Sequence, residues 1–164
     1  MEYVERLIMA LSLFLAQVLI MNHIHLFQVA TPLIYIFFVV TFRRNTPKWI
    51  ILTSSFVLGL LVDIFSNTPG LAAGNMTFIA MIQPYLMEMF TPRDSAENLQ
   101  SSTLTLGYTR FYLFCAILAL PYCLIFFGLE SFSFFDWQMW LLRAVSSAAL
   151  TMAMMVAIES FRKK

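Results

Sequence analysis

Long apolar runs separated by short polar connectors fill almost the whole chain. Five runs of about 17 or more residues are nearly free of charge, and a sixth is interrupted only by Arg143. At about 1.5 Å rise per residue, each reaches across a hydrocarbon core of roughly 30 Å. The pattern predicts six membrane-spanning helices at 4–22, 26–42, 49–66, 71–90, 110–129 and 137–159. Pro47, Pro69 and Pro92 punctuate three of the connectors, where helices commonly stop or start. The run at 71–90 is the weakest, because Gly74, Asn75, Gln83 and Pro84 interrupt it and Gly70 precedes it. It is either a continuous span or a broken, re-entrant helix shielded from lipid by its neighbours. The longest polar stretch, Thr91 to Thr109, has 19 residues and is too short to bury a core of its own. The expected architecture is therefore all-α and polytopic, one six-helix transmembrane domain over 1–164.

Composition agrees with a chain that works in the bilayer. Hydrophobic residues make up 60% and charged residues 12%, against about 25% charged in a soluble domain. The first residues include Glu2 and Glu5 rather than a basic region, and no small-residue cleavage site follows the first run, so no secretory signal is expected.

The placement of charge predicts orientation. With both ends in the cytoplasm, the inside connectors hold Arg43, Arg44, Lys48 and Arg93. Arg6 and Arg110 flank inside helix ends, and Arg162, Lys163 and Lys164 close the chain. Nine of the ten basic residues then share one side, while the outside connectors carry none. The third outside connector holds Glu130 and Asp136 instead. An even number of spans satisfies this distribution, and five or seven would misplace one terminal cluster. Trp49 and Trp137 begin spans three and six, at depths where interfacial aromatics are favoured.

Ionisable residues inside spans each cost at least about 2.5–3.5 kcal/mol on insertion scales, so they call for a reason. Asp63 and Arg143 are the two clear cases. Their expected depths differ by only about 5 Å at helical rise. Two readings are open: a direct pair, or shared polar network with Asn75, in the outer half of the bundle, and independent snorkelling of both groups. A structural staple is expected over a proton or ion relay, which would need further acidic or His groups at midplane depth.

The remaining polar residues read as structural. Gln17, Gln28, Asn75 and Gln83 are of the kind that hydrogen-bond between membrane helices. His23 and His25 form an H-x-H in the first outside turn, and a metal site there would need a third ligand that the sequence does not supply. Cys115 and Cys123, about 12 Å apart along one helix, cannot pair within the chain and read as packing residues. Asn75-Met76-Thr77 matches a glycosylation sequon but falls inside a span. No hydrolase, metalloprotease or nucleotide-binding motif is present, and no cofactor, enzymatic activity or nucleic-acid partner is expected.

Two segments carry a family resemblance. The first is Gln17 to Pro32, "QVLIMNHIHLFQVATP", with Asn22, His23, His25 and Pro32, followed by "LIYIFF". The second is Phe56 to Gly74, "FVLGLLVDIFSNTPGLAAG", with Gly59, Asp63, Pro69 and Gly70. With the length and the six expected spans, the chain resembles the bacterial rod shape-determining protein MreD family. The segment beyond Pro92 contributes less.

The resemblance implies a non-enzymatic inner-membrane component of the cell-elongation machinery. It further implies association with a single-span MreC-like protein and, through it, with MreB filaments and the RodA–penicillin-binding protein 2 pair that makes peptidoglycan. It also implies a fold similar to the substrate-binding subunits of energy-coupling-factor transporters. A scaffold whose lipid-facing grooves bind partner helices is thus the expected function, with a homodimer left open. The basic inside residues Arg43, Arg44, Lys48 and Arg93 fit anionic lipid or a cytoplasmic partner, and equally fit ordinary topology signals. The alternative is a small-molecule transporter subunit with an outward-opening pocket, in which Asp63, Asn75 and Arg143 would contact the ligand.

Overall fold

A computed structural model describes residues 2–20, 31–91, 101–131 and 136–162. The described residues form seven helices: α1 (Glu2–Leu19), α2 (Ile36–Val40), α3 (Lys48–Ser66), α4 (Leu71–Phe90), α5 (Thr103–Leu106), α6 (Tyr108–Ser131) and α7 (Trp137–Arg162). The protein is all-α over these residues, with α3–α4 and α6–α7 packed as antiparallel hairpins and α4 joining the two pairs. Helix α1 lies along α3 in parallel, since Arg6 meets Thr46 at one end and the Phe14 ring meets Phe65 near the other.

Helices α3, α6 and α7 are long and apolar enough to cross a membrane. Helices α1 and α4 have 18 and 20 residues. The first turns of α1 hold Glu2, Glu5 and Arg6, while Gly74, Asn75, Gln83 and Pro84 dilute α4. The broken helix considered for 71–90 is absent: α4 runs unbroken through Pro84.

The expected helix at 26–42 fails over the described residues 31–42, while residues 26–30 lie outside them. Residues 31–35 are not helical, and only Ile36–Val40 forms a short helix. Thr31-Pro32 gives the local reason: proline lacks an N–H and pushes the residue before it out of helical geometry. This segment sits at the centre of the molecule. Every residue of α2 is buried, and α2 packs on α1, α3, α4 and α6. Around it lie Ile51, Met76, Ile79, Met87, Phe111, Phe114, Leu118, Tyr122 and Met155, all buried.

Charge is distributed unevenly between the two ends of the bundle. One carries Arg6, Arg43, Arg44, Lys48 and Arg110 together with Glu5, Glu88 and Glu159, and the other carries Asp63, Glu130 and Asp136 with Arg143 nearby. The outer faces are apolar and exposed, as with Leu7, Leu11 and Leu15 on α1 and Phe56, Leu60 and Ile64 on α3.

Candidate functional site

Asp63 ends one helix and begins the next. Its backbone carbonyl accepts the N–H groups of Asn67 and Thr68 and so closes α3. Asn67 takes the left-handed conformation that such closures need (φ 56°). The first residues of α4 then present N–H groups with no partner in their own helix. The residue in the capping position, Gly70 (φ 81°), has no side chain to offer. The Asp63 carboxylate takes that role from the preceding helix: Oδ1 accepts from Ala72 N–H at 2.8 Å and Oδ2 from Ala73 N–H at 2.8 Å. Thr68 Oγ1 donates to Oδ1 at 2.9 Å. A buried carboxylate on a helix N-terminus is favoured by the hydrogen bonds and by the helix dipole together.

The latch works because the helices touch backbone to backbone. Gly59 lies one turn before Asp63 on the same face, and a Cβ there would stand 2.6 Å from Ala73 Cα and 2.8 Å from Ala72 O. Four residues of the second resemblance segment, Gly59, Asp63, Pro69 and Gly70, thus belong to one helix–turn–helix unit.

The non-helical segment is held by side chains from three directions. Gln17 Nε2 donates to Pro32 O at 3.0 Å, and Gln17 Oε1 accepts from Ile34 N–H at 3.0 Å. From α7, Ser147 Oγ accepts from Thr31 N–H at 3.0 Å and Thr151 Oγ1 from Leu33 N–H at 3.1 Å. From α6, the Tyr122 hydroxyl shares a 2.6 Å hydrogen bond with that of Tyr35, both rings being fully buried. Buried backbone outside regular helix needs such partners for its polar groups. Beside it opens a cleft of about 380 Å³ lined by Gln17, Thr31, Tyr35, Thr68 and Glu130 among others.

The expected Asp63–Arg143 pair does not form. Both Asp63 oxygens are engaged by α4 and Thr68, and the residue is buried. Arg143 is exposed on α7 and lines a separate cleft of about 460 Å³ with Glu130, Asp136 and Trp140. Asn75 is buried on α4, with its Nδ2 lacking a hydrogen-bond partner, and is not joined to either residue. A three-membered polar network is therefore replaced by a cap at Asp63 and an outward-facing Arg143.

At the basic end, Arg43 and Arg44 are half-buried in the turn between α2 and α3. Lys48 Nζ donates to the Tyr85 hydroxyl at 3.2 Å and lies 4.3 Å from the centre of its ring, tying the start of α3 to α4. Arg6 reaches Thr46 Oγ1 at 3.3 Å and stacks over Phe42 at 5.1 Å. Here sequence reasoning missed Glu159, placed at the end of the last span. Its carboxylate Oε1 is buried and accepts from Ser102 Oγ at 2.8 Å and Thr103 N–H at 3.1 Å, anchoring the cap of α5 to α7.

Asn22, His23, His25 and Arg93 lie outside the described residues, and Pro32 is buried in the clamped segment. Among the described residues no group of three or more His, Cys, Asp or Glu side chains could hold a metal ion. Comparison with protein-family models, curated proteins and solved structures gives no match to this chain.

Proposed function

We propose that this chain is a multi-pass scaffold of the bacterial inner membrane, of the MreD kind, with six hydrophobic passes and both ends in the cytoplasm. In this reading the described part of the second pass is a non-helical stretch followed by a short helix. Its partners are an MreC-like single-span protein and, through it, MreB filaments and the RodA–penicillin-binding protein 2 pair. The reading assigns no reaction to the chain.

The observation that supports it best is that Gly59, Asp63, Pro69 and Gly70, elements on which the resemblance rests, act together as one structural unit. Such a unit fixes the shape of a hairpin rather than presenting a reactive group, as a scaffold requires. The apolar outer face of α3, with Phe56, Leu60 and Ile64 exposed, is then a surface on which a partner helix can pack.

A second reading, a small-molecule transporter subunit, draws on the cleft lined by Gln17, Thr31, Tyr35, Thr68 and Glu130. Affinity purification from native membranes in mild detergent, with mass spectrometry, separates the two. Recovery of an MreC-like protein with peptidoglycan synthases supports the scaffold. Recovery of ATPase and coupling subunits, or of a bound vitamin-sized molecule, replaces it with transport.

A further inference from the structure

Between α1 and α3 runs an open cleft of about 560 Å³, floored by Phe38 and Phe42 of the central segment. Its walls include Ala10 and Phe14 on one side and Thr53, Ser54 and Leu61 on the other. The wall is apolar despite these hydroxyl residues, since Ser54 Oγ donates back to Ile50 O at 2.6 Å. The cleft follows α1 for about 12 Å, from Arg6 to Phe14, at helical rise. Its Arg6 end opens beside the exposed Trp49, a residue type that favours the membrane interface.

We infer that this cleft seats one acyl chain of an anionic phospholipid, with the lipid phosphate at Arg6. The charge is complementary: among the described residues that line the cleft, Arg6 alone is ionisable, and Thr46 and the Phe42 ring fix its guanidinium at the mouth. Arg43, Arg44 and Lys48 lie in or beside the adjoining turn, against Glu2 and Glu5 in the first turns of α1, so basic residues outnumber acidic ones around the mouth. Basic pockets between membrane helices on the cytoplasmic side select anionic head groups.

The inference rests on the membrane placement proposed above but not on the elongation partners. The test uses the full chain purified in mild detergent, with phosphatidylglycerol or phosphatidylcholine of matched chains added, and reads lipid binding by native mass spectrometry. The protein should bind phosphatidylglycerol about fivefold more tightly. Arg6→Gln should abolish that preference and Arg6→Lys keep it, while Thr53→Trp, which fills the cleft, should weaken both lipids. Independently, phosphatidylglycerol with a photoactivatable chain should crosslink within residues 6–14 and 49–61. Equal binding of the two lipids, a preference that survives Arg6→Gln, or crosslinks confined to other helices would overturn the inference. So would recovery of a protein helix crosslinked from position 53 in native membranes. A lipid preference without co-purifying elongation proteins would sink the scaffold reading and leave this site standing.

Discussion

Gly59 and Ala73 meet backbone to backbone, so that the Cα of one residue occupies the space a side chain on the other would need. Gly59→Ala should therefore destabilise the protein by about 1–3 kcal/mol through forced separation of α3 and α4. Gly74→Ala, one position beyond Ala73 with nothing within 4 Å of its added Cβ, should be neutral or stabilise by up to about 1 kcal/mol. Thermal unfolding of the two variants in the same detergent makes the comparison. Equal behaviour of both would mean that the contact does not govern stability.

At Asp63, an asparagine keeps one acceptor but turns an amide toward a backbone N–H that a carboxylate oxygen now receives. Asp63→Asn should cost about 1–3 kcal/mol, and Asp63→Leu more, because two N–H groups and the Thr68 hydroxyl lose their acceptor. A direct Asp63–Arg143 pair would let Asp63→Arg combined with Arg143→Asp rescue expression. With Asp63 engaged by α4 and Thr68, the double variant should express no better than Asp63→Arg by itself.

Gln17→Leu should leave the Ile34 N–H and Pro32 C=O without their acceptor and donor in the core. Each such loss costs about 1–3 kcal/mol. Hydrogen exchange at Leu33 and Ile34 is the direct readout, and it should accelerate well before the α3–α4 hairpin does. Protection at wild-type level would show that Gln17 is not what holds the segment.

Glu159→Ala should release Ser102 and Thr103. The expected result is faster exchange and earlier proteolysis across Thr103–Leu106, with the melting of the α3–α4 unit nearly unchanged. If both regions loosen together, the two ends of the bundle are more tightly coupled than their separate hydrogen bonds imply.

Much of the helix layout was legible because it depends on local signals. Lys48, Ser66, Leu71 and Phe90 lie at or next to expected boundaries, set by Pro47, Asn67 and Gly70. Asp63 stood out as misplaced in an apolar run, but its partners could not be read. They are backbone N–H groups of Ala72 and Ala73, which no side-chain pattern advertises. The break at 31–35 was hidden more completely. Its residues Leu33, Ile34 and Tyr35 continue an apolar run, and only Thr31-Pro32 hints at a change. Ser147 and Thr151, which make the break tolerable, lie 116 and 118 positions along the chain from Thr31 and Leu33. Nothing in an apolar helix marks such hydroxyls as partners of backbone that far away in the chain.

That separation has a consequence for how the molecule is made. The non-helical segment receives its first support from Gln17, which leaves the ribosome before it, yet Ser147 and Thr151 belong to the last helix. At about 5–20 residues per second, the stretch up to Thr151 takes roughly 6–24 s to synthesise. Throughout that wait, in the proposed membrane placement, the Thr31 and Leu33 amides must be kept from lipid by water, by the translocation machinery or by a provisional neighbour. The centre of this protein is thus among the first parts to be translated and among the last to be finished, and the arrival of α7 is the step that completes it.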